Sequence, residues 1–537
     1  MPTDPAPARS RAGRIALLAA LALAALLEGA VAVRSPIIAP DGIHYIALAR
    51  DLLAAPRHTM QIQAQHPGYP LLVAASHAAL ARGNDQSIEH WVWAARLPSL
   101  VAGVLGVGVL WLLARQMFDE RTAGVAALLF AVLPLARQNA ADALGDAPHL
   151  LGYLLAAWAA LTGLQTGRVV WFALAGTSSA LAFWIRPEGA SVAIVVAALL
   201  AAKLMLGVPA ERRRWATSLA ALLTFSFAVS APYVVLSGKV TDKLRQKQNL
   251  SPAATSLTKV PRLAMGSRPA GALPLAAISP TAALVTTSVL LQAGAELVEQ
   301  YASQMNVLLP LAALGLFWTR SAAPRAESLR LASSLAWFHA ALLIALFILG
   351  GYIDRRHVLV LVALAMPWAA AGLLALAAWL ANRPQFAARP RAAGVWACGL
   401  VLAVAACLLP RSLRPLHEPY RPQLAAAEWI NAHASPSDPL IANSPYIAFY
   451  TQRQTEIYGW SDYGRPPPLA ERVRGETARF IVFDTGASEH YDPAWLEALN
   501  SQYSLATRFE GTGRAKRHTV LIYELTRMAA RPSPTST

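Results

Sequence analysis

The chain has 537 residues, 55% of them hydrophobic and only 14% charged, at a mean hydropathy of +0.40. A water-soluble domain carries roughly 25% charged residues, so this composition excludes a cytosolic enzyme, a disordered chain and a fibrous protein. The net charge is +16, but the basic residues lie between apolar runs rather than in a patch interleaved with aromatics. That pattern excludes nucleic acid as a partner and points to a polytopic membrane protein oriented by its loop charges.

Arg9, Arg11 and Arg14 precede an apolar run from Ile15 to Val33, too long for the apolar region of a cleavable signal peptide. It reads as a first membrane helix, with residues 1–13 left in the cytoplasm. A bilayer core about 30 Å thick takes roughly 20 apolar residues per helix. Further spans are therefore expected near 91–114, 122–138, 147–165, 168–185, 188–206, 215–236, 303–319, 331–350, 358–380 and 393–409. The expected fold class is a polytopic α-helical membrane protein of about eleven spans (range eleven to thirteen), with a membrane domain over 14–410. With the N-terminus inside, the short loops holding Arg115 and Arg121, Arg168, Lys203 with Arg212 to Arg214, Arg320 to Arg330, and Arg383 to Arg391 all fall on the cytoplasmic side, as the positive-inside bias requires. Residues 272–300 are apolar enough to suggest another span, but Glu296 and Glu299 interrupt them. Counting them would reverse every later loop, so a helix lying at the outer interface is expected there.

Three segments remain outside. The first outer loop, 34–90, contains two amphipathic pieces, Asp41–Leu53 and Tyr69–Leu80, suited to the membrane surface. The second, 237–302, begins with a basic stretch carrying Lys239, Lys243, Arg245, Lys247, Lys259 and Arg262, which reads as a solvated or headgroup-binding face. The third is the tail, 411–537, where proline and charge rise. A helix over Gln423–Ala434, strands at Pro439–Ala442, Phe480–Phe483 and Thr519–Tyr523, and a helix over Pro493–Gln502 make it a small extracytoplasmic α/β domain. Cys398 and Cys407 lie nine residues apart in one apolar run, on opposite helix faces, so they cannot bridge each other, and no cysteine motif holds a structural metal.

Ionisable residues at membrane depth are costly and therefore candidates for function. They gather at the outer ends of the spans: Asp41 and His44 after the first helix, His66 in His66-Pro67-Gly68-Tyr69-Pro70, and Asp142 and Asp146 before 147–165. Arg186-Pro187-Glu188-Gly189 and Asp354-Arg355-Arg356-His357 complete the set. Asp41 suits a base that takes a proton from an attacking hydroxyl. Arg186, Arg355, Arg356, His66 and His357 suit an anionic phosphate leaving group, arginine above all because its planar fork binds two oxygens. Asp146, Asp142, His44 and Glu188 are candidates for the acceptor side or for a metal. Structural roles compete at each position: Asp41 suits an N-cap, Arg186 before Pro187 a helix break, and Glu28 either the cavity or the interface by snorkelling. Tyr45, Tyr69 and Tyr352 suit an interfacial belt.

The first outer loop with Asp41 and Tyr45, the His66-Pro67-Gly68-Tyr69-Pro70 box, Arg96-Leu97-Pro98, the Asp146 segment and Arg186-Pro187-Glu188-Gly189 together resemble the GT-C superfamily of membrane glycosyltransferases. Within it the pattern is similar to glycosyltransferase family 39, the protein O-mannosyltransferase-like family, and to lipid A aminoarabinose transferases. The resemblance covers roughly residues 14–410. It implies inverting transfer of a sugar from a polyprenyl-phosphate carrier to an acceptor glycan, lipid or protein on the outer side of the cell (inner) membrane, with the first-loop acid, Asp41 here, catalytic. The position after that acid is often acidic in the family and is Gly42 here, and His66 stands where many relatives have lysine. Some members use a divalent metal and others do not, so the resemblance names no certain cofactor. The rival reading is a transporter or flippase for a lipid-linked or polyol substrate. Such proteins show internal repeats and broken midplane helices, whereas this sequence shows no repeat and places its polar residues at the outer ends.

Overall fold

A chain segment surrounded by lipid can satisfy its backbone N–H and C=O groups only within itself, so long uncharged runs become helices. The computed structural model describes residues 11–80, 86–241, 280–318, 326–385, 391–452, 455–457, 478–486, 503–511 and 518–526. Its helices are α1 (Arg11–Arg34), α2 (Pro40–Ala54), α3 (Pro56–Ile62), α4 (Gly68–Leu80), α5 (Ile88–Met117), α6 (Glu120–Ala131), α7 (Pro134–Ala141), α8 (Asp146–Thr166), α9 (Val169–Ile185), α10 (Ser191–Leu206) and α11 (Arg212–Ser237). Then follow α12 (Pro280–Met305), α13 (Leu308–Trp318), α14 (Ala326–Gly350), α15 (Leu359–Ala381), α16 (Ala392–Ser412), α17 (Arg421–His433) and α18 (Pro445–Thr451). Short 3₁₀ turns at Pro187–Ala190 and Arg355–Val358 lead into α10 and α15.

Among the described residues eight helices are long and apolar enough to cross a bilayer alone, and the bent pair α6 and α7 makes a ninth. The shorter apolar helices α9 and α13 stand at the two remaining expected positions. Leu26, Phe227, Trp337 and Leu402 point outward from the bundle, as lipid-facing side chains do. Inside, alanines and small residues of α5, α6, α8 and α15 pack into one core that includes Ala126, Ala157, Ala160 and Ala369. Small side chains let helices approach closely where lipid supplies no hydrophobic driving force.

Three elements differ from expectation. The span 122–138 is broken: the chain turns by 59° between α6 and α7, because Pro134 cannot continue the hydrogen-bond ladder of the preceding turn. The expected span 303–319 contributes only the short α13, since the chain breaks at Asn306 with φ of 44°. Its first residues belong instead to α12, which is not among the helices apolar enough to span. In the first loop α3 joins the two expected surface helices, and its seven residues are too few to show periodicity.

Glu28 on α1 does not snorkel. It is fully buried and paired with the equally buried Arg137 on α7. A charge inside the bundle is tolerated only beside its opposite, so this pair pins the bent helix α7 against α1. Among the described residues of the tail, five strands form one sheet: β1 (Leu440–Ala442), β2 (Thr455–Ile457), β3 (Phe480–Asp484), β4 (Tyr503–Glu510) and β5 (Thr519–Leu525). Their order is β2-β1-β3-β5-β4, with β1 parallel to β2 and β3, and β5 antiparallel to β3 and β4. Ala426, Ala427 and Ile430 of α17 cover Leu440, Phe480, Val482 and Ile522. The expected helix Pro493–Gln502, residues 272–279, and Lys243, Arg245, Lys247, Lys259 and Arg262 lie outside the described residues.

Removing one member of the buried pair strands the other charge. Arg137→Ala or Glu28→Ala is expected to cost about 3–5 kcal/mol, read as a lowered thermal midpoint in detergent. The double variant Glu28→Leu/Arg137→Met should recover most of that loss.

Candidate active site

The loop after α1 is built by two side chains from elsewhere. Buried Arg96 on α5 donates to the carbonyls of Ala32 at 2.9 Å, Ser35 at 2.5 Å and Ile37 at 3.2 Å. It thereby satisfies oxygens that the end of α1 leaves open. Asp142 accepts from the backbone N–H of Ala39 at 3.0 Å and of Ala143 at 2.8 Å, and His417 Nε2 lies 2.6 Å from its other oxygen. Asp142, from the α7–α8 junction, therefore meets the N-terminus of α2. Asp41 sits inside the first turn of α2, after Pro40, and makes no side-chain cap. That start brings Asp41 to Arg356, whose Nη1 lies 2.5 Å from Asp41 Oδ2.

Arg186 caps the C-terminus of α9 in extended backbone and pairs with Asp146, while its Nε lies 3.6 Å from Glu188. Burial opposes the Arg186 charge, but the carboxylates of Asp146 and Glu188 outweigh it and raise the guanidinium pKa. Arg186, Arg356, Asp146, Glu188, His149 and His339 share the wall of a small cavity, which His357 also lines. Arg356 also lines a second, larger cleft beside Asp41, Asp142, Arg355, Arg411 and His417. One guanidinium thus lines both the cavity that holds Arg186 and the cleft that holds Asp41.

The other candidates have definite places. Arg355 is exposed on the cleft wall. His357 is buried, and its Nδ1 accepts from the Asp354 backbone N–H at 3.0 Å in a capping box that rigidifies the turn holding Arg356. His66 sits beside the end of α9 and α11, with Nδ1 2.8 Å from the Phe183 carbonyl oxygen, Nε2 3.3 Å from Thr241 Oγ1, and its ring against Tyr233. His44 is half-buried on α2 beside Tyr45. Burial raises the Tyr45 phenol pKa and Asp41 adds to the rise, so Tyr45 stays a hydrogen-bond donor. Tyr69 is a core residue rather than a belt residue, donating to the Ala95 carbonyl at 2.6 Å.

A Cβ at Gly42 would come within 2.8 Å of the Ala143 side chain and 2.9 Å of its carbonyl oxygen, so the contact between α2 and the α7–α8 junction leaves no room for a second acid after Asp41. Among the described residues no group of three His, Cys, Asp or Glu side chains is arranged to hold a metal, and Asp41 and Asp146 each face an arginine. His149 and His339 in the cavity and His417 and Arg411 in the cleft are not among the candidates read from the sequence. His149 follows Asp146 by three residues, one helical turn, and His339 is an ionisable residue inside an apolar run. Those two signals could have found them, but nothing local marks His417.

Residues 87–236 match the family model described as dolichyl-phosphate-mannose-protein mannosyltransferase. No curated protein matches the chain by sequence. Among solved structures, ArnT from Cupriavidus metallidurans bound to undecaprenyl phosphate aligns with a TM-score of 0.59 at 16% identity, covering 96% of this chain and 98% of that one. AglB from Archaeoglobus fulgidus, an archaeal oligosaccharyltransferase in complex with an inhibitory peptide and a dolichol-phosphate, aligns with a TM-score of 0.56 at 14% identity, covering 89% and 70%. The chain has the fold of these proteins.

Burial opposes the Asp142 charge, but His417 and the Ala39 N–H outweigh it and hold the carboxyl below its ordinary range. Its stabilising contribution is therefore complete above the usual carboxylate value of about 3.9 and is lost as pH falls through the lowered folded value. Asp142→Asn should cost about 1–3 kcal/mol at neutral pH. The gap in thermal midpoint between wild type and variant should close as pH falls below about 4. A gap that persists undiminished at pH values where the carboxyl is protonated would contradict an ionised clamp.

Proposed function

We propose that this protein is an integral-membrane glycosyltransferase that moves a sugar from a polyprenyl-phosphate donor to an acceptor hydroxyl at the outer face of the inner membrane, by a single inverting displacement. The observation that carries the reading is the position of Arg356, which lines the cavity beside Arg186 and touches Asp41 at the cleft. A donor phosphate in the cavity is held by the two guanidinium forks, and its lipid tail leaves past Leu343 and Val360, which supply apolar wall. The sugar then reaches from Arg356 toward the cleft, where Asp41 faces an acceptor hydroxyl.

The chemistry follows from that placement. The acceptor oxygen attacks the anomeric carbon, its proton passes to Asp41, and the sugar–oxygen bond to phosphate breaks with its electron pair going to the phosphate. Arg186 and Arg356 stabilise the charge that develops there. Asp146 and Glu188 hold Arg186 in place, and the capping box around His357 holds Arg356. Because Asp41 already pairs with Arg356, an incoming phosphate competes for that guanidinium and frees the carboxylate as the donor binds. Two proteins of this fold were solved with lipid phosphates, undecaprenyl phosphate in one and a dolichol-phosphate in the other, which supports a carrier of that class. The tail closes the cleft through Leu416, His417 and Glu418, a position suited to selecting a glycan, lipid or protein acceptor.

Purified protein given a radiolabelled polyprenyl-phosphate hexose or pentose together with candidate acceptors is expected to release free carrier phosphate. Asp41→Asn should lower turnover by at least about 100-fold while donor binding persists. Arg186→Ala and Arg356→Ala should raise the donor KM. Undiminished turnover in Asp41→Asn would remove the catalytic assignment. Movement of intact donor across a vesicle bilayer without carrier release would identify a flippase instead.

A further inference from the structure

An imidazole inside an apolar membrane helix is expensive unless it is used, and His339 lies within α14, itself a spanning helix. Its ring is 2% exposed. Nε2 lies 3.3 Å from the backbone oxygen of His357. A carbonyl oxygen only accepts, so Nε2 carries the hydrogen and a neutral ring presents a bare lone pair at Nδ1. Nδ1 is buried and has no hydrogen-bond partner among the described residues. His339 nevertheless lines the cavity that holds Arg186 and Arg356.

The groups facing this ring come from every element around it. They are Asp146, His149 and Tyr153 of α8, Arg186 at the end of α9, Glu188 of the turn before α10, and Arg356 and His357 of the turn before α15. The two guanidinium charges are matched by the two carboxylates of Asp146 and Glu188, so the cavity has little cationic surplus for a doubly charged ligand. A phosphodiester donor carries one negative charge. The monoester released after sugar transfer, with a second pKa near 6, carries close to two in water. Next to a bare lone pair the second charge is unfavourable, but a single proton between Nδ1 and a phosphate oxygen satisfies both groups. Diester oxygens are far weaker bases and gain little from such a proton.

Resting on the donor reading above, we propose that His339 is a third ligand of the carrier phosphate and shares one proton with the released monoester. Departure of the spent carrier is thereby coupled to proton loss. The balance of the step is complete: the acceptor proton goes to Asp41, the electron pair of the broken sugar–oxygen bond goes to the phosphate, and the shared proton enters from solvent.

The test measures binding of a short-chain polyprenyl monophosphate and of its methyl diester to the purified full-length protein between pH 6 and 8.5. Monoester affinity is expected to fall by up to about tenfold per pH unit at the alkaline end, the limit for one linked proton, while diester affinity changes little. His339→Gln should flatten the monoester slope to that of the diester. Phosphorus NMR of the wild type provides a readout independent of the variant: the bound monoester should keep the shift of a proton-sharing phosphate at pH values where the free ligand is dianionic. Equal monoester slopes in wild type and His339→Gln, or a bound signal that titrates like the free ligand, would overturn the assignment and leave the donor reading standing. Failure of the wild type to bind either ligand would overturn both.

Discussion

A charge inside a bundle surrounded by lipid needs an opposite charge, and the site depends on that constraint. The side chains of Arg186 and Arg356 are only 16% and 25% exposed, so water solvates their guanidinium groups incompletely and leaving either unpaired is costly. Arg356 and Asp41, 315 residues apart in the chain, meet for this reason. Arg186 meets Asp146 and Glu188 for the same reason. Together these pairs draw the start of α2, the start of α8, the end of α9 and the turn before α15 to one end of the helices. In the proposed reaction the same pairing suits an anionic ligand, because a phosphate can replace a carboxylate opposite a guanidinium at little net electrostatic cost.

The carboxylates divide by exposure and partners. Asp142 is 4% exposed at its side chain, with two backbone N–H groups and His417 filling its lone pairs. It has no room for a substrate and instead joins three segments: the entrance to α2, the α7–α8 junction and the start of the tail. The Asp41 side chain is 43% exposed and borders the cleft, so it can receive a proton from a ligand. Other contacts tie the tail to the same place, including Leu416 N–H to Ser35 at 2.8 Å, Arg34 to the Leu413 carbonyl at 3.3 Å, and Tyr450 to the Pro36 carbonyl at 3.3 Å. The sheet domain is thus anchored beside the first loop rather than hanging free of it.

Much of this architecture is legible without coordinates because its signals are local. A run of about twenty apolar residues can only be a helix in lipid, so the expected positions of α1, α5, α8, α10, α11, α14, α15 and α16 are occupied. The bend before Pro134 and the break at Asn306 are less legible, because proline tolerance and a left-handed residue depend on what packs nearby. In the tail, β1, β3 and β5 are apolar and recognisable, but β4 alternates weakly at the sheet edge and β2 is only three residues long. The candidate acids and arginines stand out as polar residues at the ends of apolar runs. Their partners do not, since Asp142 and His417 are separated by 275 residues.

The amino-acid order by itself determined the helical membrane class, the small α/β tail and the residue types available for phosphate chemistry, because hydropathy and side-chain acidity are properties of a segment alone. Only the tertiary structure decided that Arg356 lines both the cavity and the cleft, that Asp142 is a clamp, that Glu28 is buried against Arg137, and that His339 joins the arginines. Those roles depend on which charges must neutralise one another once water is excluded, and that is a property of distance in space, which separation along the chain does not encode.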